Sequence, residues 1–171
     1  MFNTILGIPA HPLLIHAAVV FIPLLIVAAI VYAALPIFRS RIDWAVVALG
    51  IIGPIAALFA KLSGQDLKQR LIDRQETSPQ LLRLINQHNS FGNSTFWWTL
   101  ALGILTLVLF AYQFTQGRQP TPVTADGTST VQRARIVRIA STVVMIVLGG
   151  VVGYYVYRTG DTGAHMVWMG V

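Results

Sequence analysis

The chain has 171 residues, of which 55% are apolar and only 11% are charged, and its mean hydropathy is +0.67. About a quarter of the residues of a soluble domain are charged, so these charges are too few to cover a globule of this size. The composition excludes a cytosolic enzyme, a nucleic-acid-binding domain and a disordered tail, and it predicts a membrane protein. In a membrane protein, the net charge of +6 indicates how the chain is oriented in the bilayer and that it attracts anionic lipid. Because the chain has no cysteine, disulfides, thiolate metal sites and covalent c-type haem are excluded.

Four segments are apolar enough to cross the bilayer core, which takes roughly 20 residues. They cover residues 13–38, 44–60, 96–114 and 139–157. Backbone polar groups in lipid must be satisfied within their own segment, and no alternating barrel pattern is present, so the segments predict helices. The expected fold is all-α: a polytopic membrane protein with four transmembrane helices in an antiparallel bundle, forming a single domain over residues 1–171.

The three connections differ in composition. Residues 39–43 form a tight polar turn, whereas residues 64–76 mix leucines with basic residues as in a short interfacial helix between spans 2 and 3. Ser78 and Pro79 then provide a helix cap and a first helical residue, so the third helix is expected to begin outside the hydrocarbon. Residues 115–132 are rich in Thr, Pro, Gly and Gln and predict a flexible linker.

The orientation depends on how the cations are divided between the two faces. The face with both termini, the terminal face, carries six cations: Lys61, Lys68, Arg70, Arg74, Arg83 and Arg158. The other face also carries six: Arg39, Arg41, Arg118, Arg133, Arg135 and Arg138. The second set lies close to span ends with few acidic neighbours, which favours a cytoplasmic location and places both termini outside.

The histidines are expected to lie together on the terminal face: His11, His16, His88 and His165. His16 follows Pro12 by about 6 Å along the first helix. Because lipid offers an imidazole no partner, His16 is expected to face the bundle interior or a water-filled cavity. His88 lies on an apolar helical stripe and is expected to face inward too. His165 ends a glycine-rich segment, residues 159–165, which is interpreted as a loop that caps the site with Asp161.

Three interpretations of these imidazoles remain open. In the first, they bind backbone carbonyls or neighbours such as Asn89 and fasten helices together. In the second, His16 and His88 are the axial ligands of haem b inside the bundle. In the third, two or three histidines bind a divalent metal with Asp161 or Asp66. In the haem interpretation, the two ligands must lie at the same depth in the membrane. His16 lies inside the apolar zone, whereas His88 precedes Phe96 by eight residues, about 12 Å of helix. Their expected depths therefore differ.

Small residues and the absence of catalytic motifs complete the pattern. Gly53 and Gly153 belong to runs of small residues that predict close helix packing, with a planar cofactor or a homodimer as second interpretations. No carboxylate lies within a span, and no nucleophile motif or phosphate loop appears, so no enzymatic activity is expected.

Three stretches of the sequence occur together in one known family. They are GIPAHPLLIH at residues 7–16, GQDL at 64–67 and RTGDTGAHMVW at 158–168. On these motifs the whole chain resembles a family of small bacterial four-span membrane proteins classed as domain-of-unknown-function family 2231. The resemblance implies the four-helix fold and a bacterial inner-membrane location, and it marks His11, His16, His88 and Asp161 as characteristic positions. Some relatives are joined to Rieske-type iron–sulfur domains, which implies an electron-transfer setting, although the family has no settled activity.

The expected protein is therefore a non-enzymatic subunit of the inner membrane. Its working site is the histidine cluster, and its expected role is that of a haem b or redox-associated subunit of a larger membrane complex. The alternatives are a cofactor-free structural or assembly subunit and a divalent-metal-binding protein. Membrane lipid and other membrane subunits, or a second copy of the chain, are the expected partners, and nucleic acid is not.

Overall fold

The computed structural model describes residues 4–5, 8–75, 77–116 and 127–168, with side chains described at 11–75, 77–116 and 132–168. Four long helices account for most of them: α1 (Ala10–Ala34), α2 (Arg39–Asp73), α3 (Pro79–Gln116) and α4 (Gly127–Trp168). Two short strands, β1 (Thr4–Ile5) and β2 (Ile8–Pro9), pair antiparallel before α1, and a 3₁₀ turn (Pro36–Phe38) precedes α2. All four helices are long and apolar enough to cross a membrane, so the predicted four-span helical bundle is confirmed.

The helices pack in a ring in which each contacts the next and α4 returns to α1. The core at the centre of this ring is apolar: Ile22, Leu25, Ala29, Tyr32, Val46, Leu102, Met145 and Val152. Large apolar side chains such as Val27, Trp44 and Val147 lie exposed on the outside. In water this surface would be unfavourable, but in a bilayer it faces hydrocarbon that is as apolar as the side chains themselves.

The predicted interfacial helix at 64–76 is not a separate element. Those residues are helical as far as Asp73, but they continue α2 without a break, because helix propagation adds a hydrogen bond for each residue fixed. The helix ends where Gln75 adopts a φ of 57°, in the left-handed region. The α3 start agrees with the sequence, since the Leu81 N–H donates to Ser78 Oγ at 3.1 Å and Pro79 is the first helical residue. At 38 residues, or about 57 Å, α3 extends well beyond a hydrocarbon core of about 30 Å.

Three expected connections are partly or wholly helical. The tight polar turn expected at residues 39–43 is wrong, because these residues are the first of α2 and the chain turns at residues 35–38 instead. α3 and α4 include both ends of the predicted linker 115–132, and residues 117–126 lie outside the described residues. The glycine-rich segment 159–165 is the last part of α4 rather than a folded-back loop. The helix there is explained by packing against α3, since the Thr159 hydroxyl lies 3.0 Å from that of Thr95 and the Thr162 hydroxyl lies 3.0 Å from Nδ1 of His88.

A close backbone contact joins α2 and α3 near the middle of the bundle. A Cβ atom at Gly103 would lie 2.7 Å from both the carbonyl oxygen of Gly50 and Cγ of Pro54. Real Cβ atoms essentially never come so close, so only glycine allows this approach.

The two glycines singled out from the sequence differ in surroundings. Gly53 packs as predicted, since a Cβ atom there would lie 3.0 Å from Cδ2 of Leu25 on α1. On α4 the packing glycine is Gly149, where a Cβ atom would lie 2.9 Å from Cγ2 of Ile26. Gly153, in contrast, has no described residue within 4 Å of its Cβ position, so the close helix packing predicted there does not occur in the described part of the chain.

Arg39 closes the first turn. Its Nε donates to the carbonyl of Tyr32 at 2.9 Å and its Nη2 donates to that of Ala33 at 3.2 Å. These carbonyls belong to the last turn of α1, where no later N–H group of the helix is available to donate to them. The guanidinium carbon also lies 5.5 Å from the Tyr32 ring centre, so one cation stabilises the end of α1.

Candidate functional site

The end of the bundle that holds the histidines, here called the histidine end, consists of the start of α1, the last part of α2, the start of α3 and the last part of α4. Here the rings of His11 and His88 lie 6.3 Å apart between centroids, with their planes at 84°. Their helices, α1 and α3, lie diagonally across the ring and touch little elsewhere. The two imidazoles therefore meet near the axis of the bundle, and both are half-buried.

His11 is oriented by a hydroxyl on α2. Its Nδ1 lies 3.0 Å from Oγ of the buried Ser63, and that Oγ lies 3.0 Å from the carbonyl oxygen of Ala60. A hydroxyl has one hydrogen, and a carbonyl can only accept. The arrangement that satisfies all three groups has Ser63 donating to Ala60 and His11 donating its Nδ1–H to Ser63.

His88 is oriented in the same way by α4. Its Nδ1 lies 3.0 Å from Oγ1 of Thr162, which lies 2.9 Å from the carbonyl oxygen of Arg158 and 3.1 Å from that of Thr159. Here too the hydroxyl hydrogen is directed to a helix carbonyl, so the hydroxyl accepts from His88. Both imidazoles are thus assigned as Nδ1–H tautomers with the lone pair on Nε2, the form in which histidine binds a metal.

Two glycines allow the helices to approach these rings. A Cβ atom at Gly64 would lie 3.1 Å from Cε1 of His11, and one at Gly163 would lie 3.2 Å from Cε1 of His88. Both distances are tighter than ordinary contacts, so any larger residue would press on an imidazole. The glycines that sequence patterning assigned to an interfacial helix and to a loop are in fact the walls of the site.

The expectation that His16 faces the bundle interior is wrong. Its side chain is exposed, and its Nδ1 is hydrogen-bonded to the carbonyl oxygen of Pro12 on the same helix. A contact with its own backbone gives the imidazole the partner that lipid does not supply. His16 is consequently not brought together with His88.

His165 and Asp161 form a contact of their own near the end of α4. The His165 Nδ1–H donates to the Asp161 carbonyl at 2.9 Å, and the same nitrogen lies 3.4 Å from Oδ1 of Asp161. Oδ2 of Asp161 lies 4.0 Å from Nη1 of Arg158. His165 is exposed, so these residues lie on the surface of the histidine end rather than over the imidazole pair. Asn89 is not the partner of His88, whose hydrogen bond goes to Thr162.

The sequence analysis did not identify the threonines around the pair. Oγ1 of Thr95 lies 3.0 Å from Oγ1 of Thr159, which joins α3 to α4 one layer below His88. Beside them, the guanidinium carbon of Arg158 lies 4.9 Å from the Phe91 ring centre. Thr95 lies seven residues after His88, two helical turns along the same face, and this spacing is the signal that could have revealed it.

The donor set limits which metal group this end could hold. Within the described part of the chain, no group of three or more His, Asp or Glu side chains is arranged to bind a metal ion. Structural zinc sites use four protein ligands and catalytic ones use three, so a bare divalent ion would be under-coordinated here. Haem differs, because the porphyrin supplies four equatorial ligands and the protein needs only axial ones.

These features define the class of protein as a polytopic four-helix membrane protein with a histidine pair at one end of the bundle. The family model described as a predicted membrane protein, DUF2231, matches residues 7–171, so the chain belongs to that family. No curated protein and no solved structure matches the chain.

Proposed function

We propose that the protein is a b-type haem-binding membrane subunit in which His11 and His88 would hold the haem iron. The observation that carries the proposal is the meeting of two oriented imidazoles from diagonal helices, each assigned an Nε2 lone pair. Two imidazoles that hold one metal ion at about 2.0–2.1 Å from each nitrogen have ring centres at most about 6.4 Å apart. The 6.3 Å spacing of His11 and His88 fits this requirement.

With His11 in place of His16, the two ligands no longer differ in their depth in the membrane. His11 lies five residues before His16, about 7.5 Å further towards the terminal face. This shift brings the α1 ligand to the level of His88, as the ring contact between the two requires. When bound, the haem would supply one-electron transfer, which suits a redox-associated subunit of a bacterial inner-membrane complex.

The residues around the pair then have definite roles. Ser63 and Thr162 accept the Nδ1–H groups, which holds each ring in one tautomer and one orientation. Gly64 and Gly163 let the helices close on the rings. Half-burial in the bundle limits the access of water to both imidazoles.

The second candidate is a cofactor-free structural or assembly subunit, and the same hydrogen bonds favour it. His11 joins α1 to α2 through Ser63, and His88 joins α3 to α4 through Thr162. Interhelical contacts of this kind stabilise membrane bundles by about 0.6 kcal/mol each. This role does not require the two imidazoles to meet each other, and so the ring contact favours the haem subunit.

The visible spectrum of the detergent-purified protein, expressed with haem precursor, distinguishes the two candidates. We expect a Soret band that is lost in His11→Ala and in His88→Ala but kept in His16→Ala and His165→Ala. Circular dichroism and gel filtration check that each variant folds. Ser63→Ala and Thr162→Val should keep the band but weaken haem affinity by about 10–100-fold.

Two outcomes would contradict the proposal. A folded, colourless wild-type protein that also fails to bind added haemin would leave the structural subunit as the function. A Soret band that depends on His16 rather than His11 would show that the start of α1 is rotated or shifted relative to the structure described above.

A further inference from the structure

A groove opens at the opposite end of the bundle, between the turn that joins α1 to α2 and the part of α4 around Arg138. It has a volume of about 450 Å³ and is lined by residues 34–37 on one side and by Arg138, Ile139, Thr142 and Val143 on the other. Apart from Arg138 and Thr142, its lining side chains are apolar, and several of them are exposed. Binding pockets of small molecules fall in the same range of volume.

The sequences of both walls indicate where the groove lies relative to the membrane. On α4, Arg133, Arg135 and Arg138 are followed directly by the apolar stretch 139–157. On the other wall, Ala34 ends the apolar α1, and residues 35–37 lead through the 3₁₀ turn to Arg39. Since cations give way to apolar residues on both walls, the groove lies where lipid headgroups meet acyl chains.

One of the side chains that line the groove is a cation without an acidic partner among the described residues. Arg138 is exposed, and its guanidinium forms no hydrogen bond or ion pair with the described residues. Arg39 follows the wall formed by residues 34–37, but its guanidinium donates to the carbonyls of Tyr32 and Ala33 and is held there. An anionic group in the groove would therefore supply the counterion that Arg138 lacks.

We propose that this groove binds an anionic phospholipid, with the phosphate at Arg138 and an acyl chain along Leu35, Ile139 and Val143. Charge complementarity selects the headgroup, and the apolar walls select the chain. A free phosphate would leave those walls unoccupied, and an acidic peptide would place polar backbone against them. Basic pockets between transmembrane helices recognise anionic lipid headgroups in this way.

Native mass spectrometry of the protein from nanodiscs of equal phosphatidylglycerol and phosphatidylethanolamine tests the site. We expect phosphatidylglycerol to be retained preferentially by the wild type. Arg138→Gln should lower this retention about five-fold, whereas Arg138→Lys should keep most of it. Arg83→Gln, which removes an exposed arginine at the histidine end, is the matched control and should change nothing.

A second variant tests the apolar wall without altering charge. Val143→Trp fills the groove and should also lower phosphatidylglycerol retention. Equal retention of the two lipids, or an equal loss in Arg83→Gln and Arg138→Gln, would overturn the proposal. Displacement of the lipid by excess inorganic phosphate or by polyglutamate would also overturn it, because the site would then recognise the anion without the chain.

Discussion

The two ends of the bundle use polar residues in opposite ways. At the histidine end, side chains bond across helices: His11 to Ser63, His88 to Thr162, and Thr95 to Thr159. At the other end, here called the arginine end, the hydroxyls of Ser141 and Thr142 return to the Arg138 carbonyl on their own helix, and Arg39 caps the adjoining turn.

The contrast shows that polarity alone does not mark a site in a membrane protein. Polar groups that are satisfied across helices hold the bundle together and orient the imidazoles. Charges that are left exposed beside an apolar groove are available to the lipid around them. We therefore interpret the histidine end as a cofactor site and the arginine end as a membrane-facing site.

The largest expected effect concerns which compartment each end faces. Because the natural chain has no cysteine, single replacements give clean labelling. Arg83→Cys at the histidine end should react with a membrane-impermeant maleimide in intact cells. Arg135→Cys at the arginine end should react only after the membrane is permeabilised, because the arginines close to the span ends favour a cytoplasmic location for this end. Labelling of both from the same side would break the comparison, and labelling in the reverse order would invert the orientation.

The next effect tests whether one packed bundle carries both ends. Gly103→Ala places a Cβ atom against the α2 backbone and should lower the free energy of unfolding by about 1–3 kcal/mol. Gly153→Ala adds the same methyl group in open space and should be neutral or stabilising by up to about 1 kcal/mol. Thermal unfolding in detergent measures both. Equal effects at the two positions would argue against the close α2–α3 approach.

A smaller effect should show where the polar contacts of the histidine end stop. The Thr99 hydroxyl is buried and has no hydrogen-bond partner among the described residues, whereas Thr106 donates to the Leu102 carbonyl at 2.7 Å. Thr99→Val should therefore stabilise the fold by about 1 kcal/mol, since it replaces a hydroxyl without a hydrogen bond by a methyl group of similar shape. Thr106→Val should not stabilise it. A clear loss of stability in Thr99→Val would mean that the hydroxyl has a partner, such as an internal water molecule.

The smallest effect is the coupling between Thr95 and Thr159. A double-mutant cycle with Thr95→Val and Thr159→Val isolates their hydrogen bond from the other consequences of each change. The expected coupling energy is about 0.6 kcal/mol, the average for such contacts in membranes. Chemical denaturation in mixed micelles measures it, and the pair Ser141→Ala and Thr142→Val at the arginine end should show less coupling. No coupling between the two threonines would remove one of the cross-helix contacts that define the histidine end.

Much of the fold follows from local features of the sequence. Long apolar segments require helices because backbone groups in lipid have no other partners. Ser78 and Pro79 predict the start of α3 because a cap and a fixed φ act within one turn. The ends of the helices were predicted less accurately. α2 and α4 continue through glycine-containing segments in which the sequence predicts a break or a loop. Their contacts with neighbouring helices, which local sequence does not display, outweigh the low helix propensity of glycine.

The sequence by itself determined that all four histidines belong to one end of a four-span bundle, because the number and order of apolar segments decide which end each residue reaches. Only the tertiary structure decided that His11, and not His16, meets His88. These two positions differ by about 140° around α1, and α1 is apolar on all sides, so no stripe in its sequence indicates which face turns inward. Packing against Ser63 and Gly64 of α2 sets that rotation, and residues far apart in the chain are brought into contact only by the folded bundle.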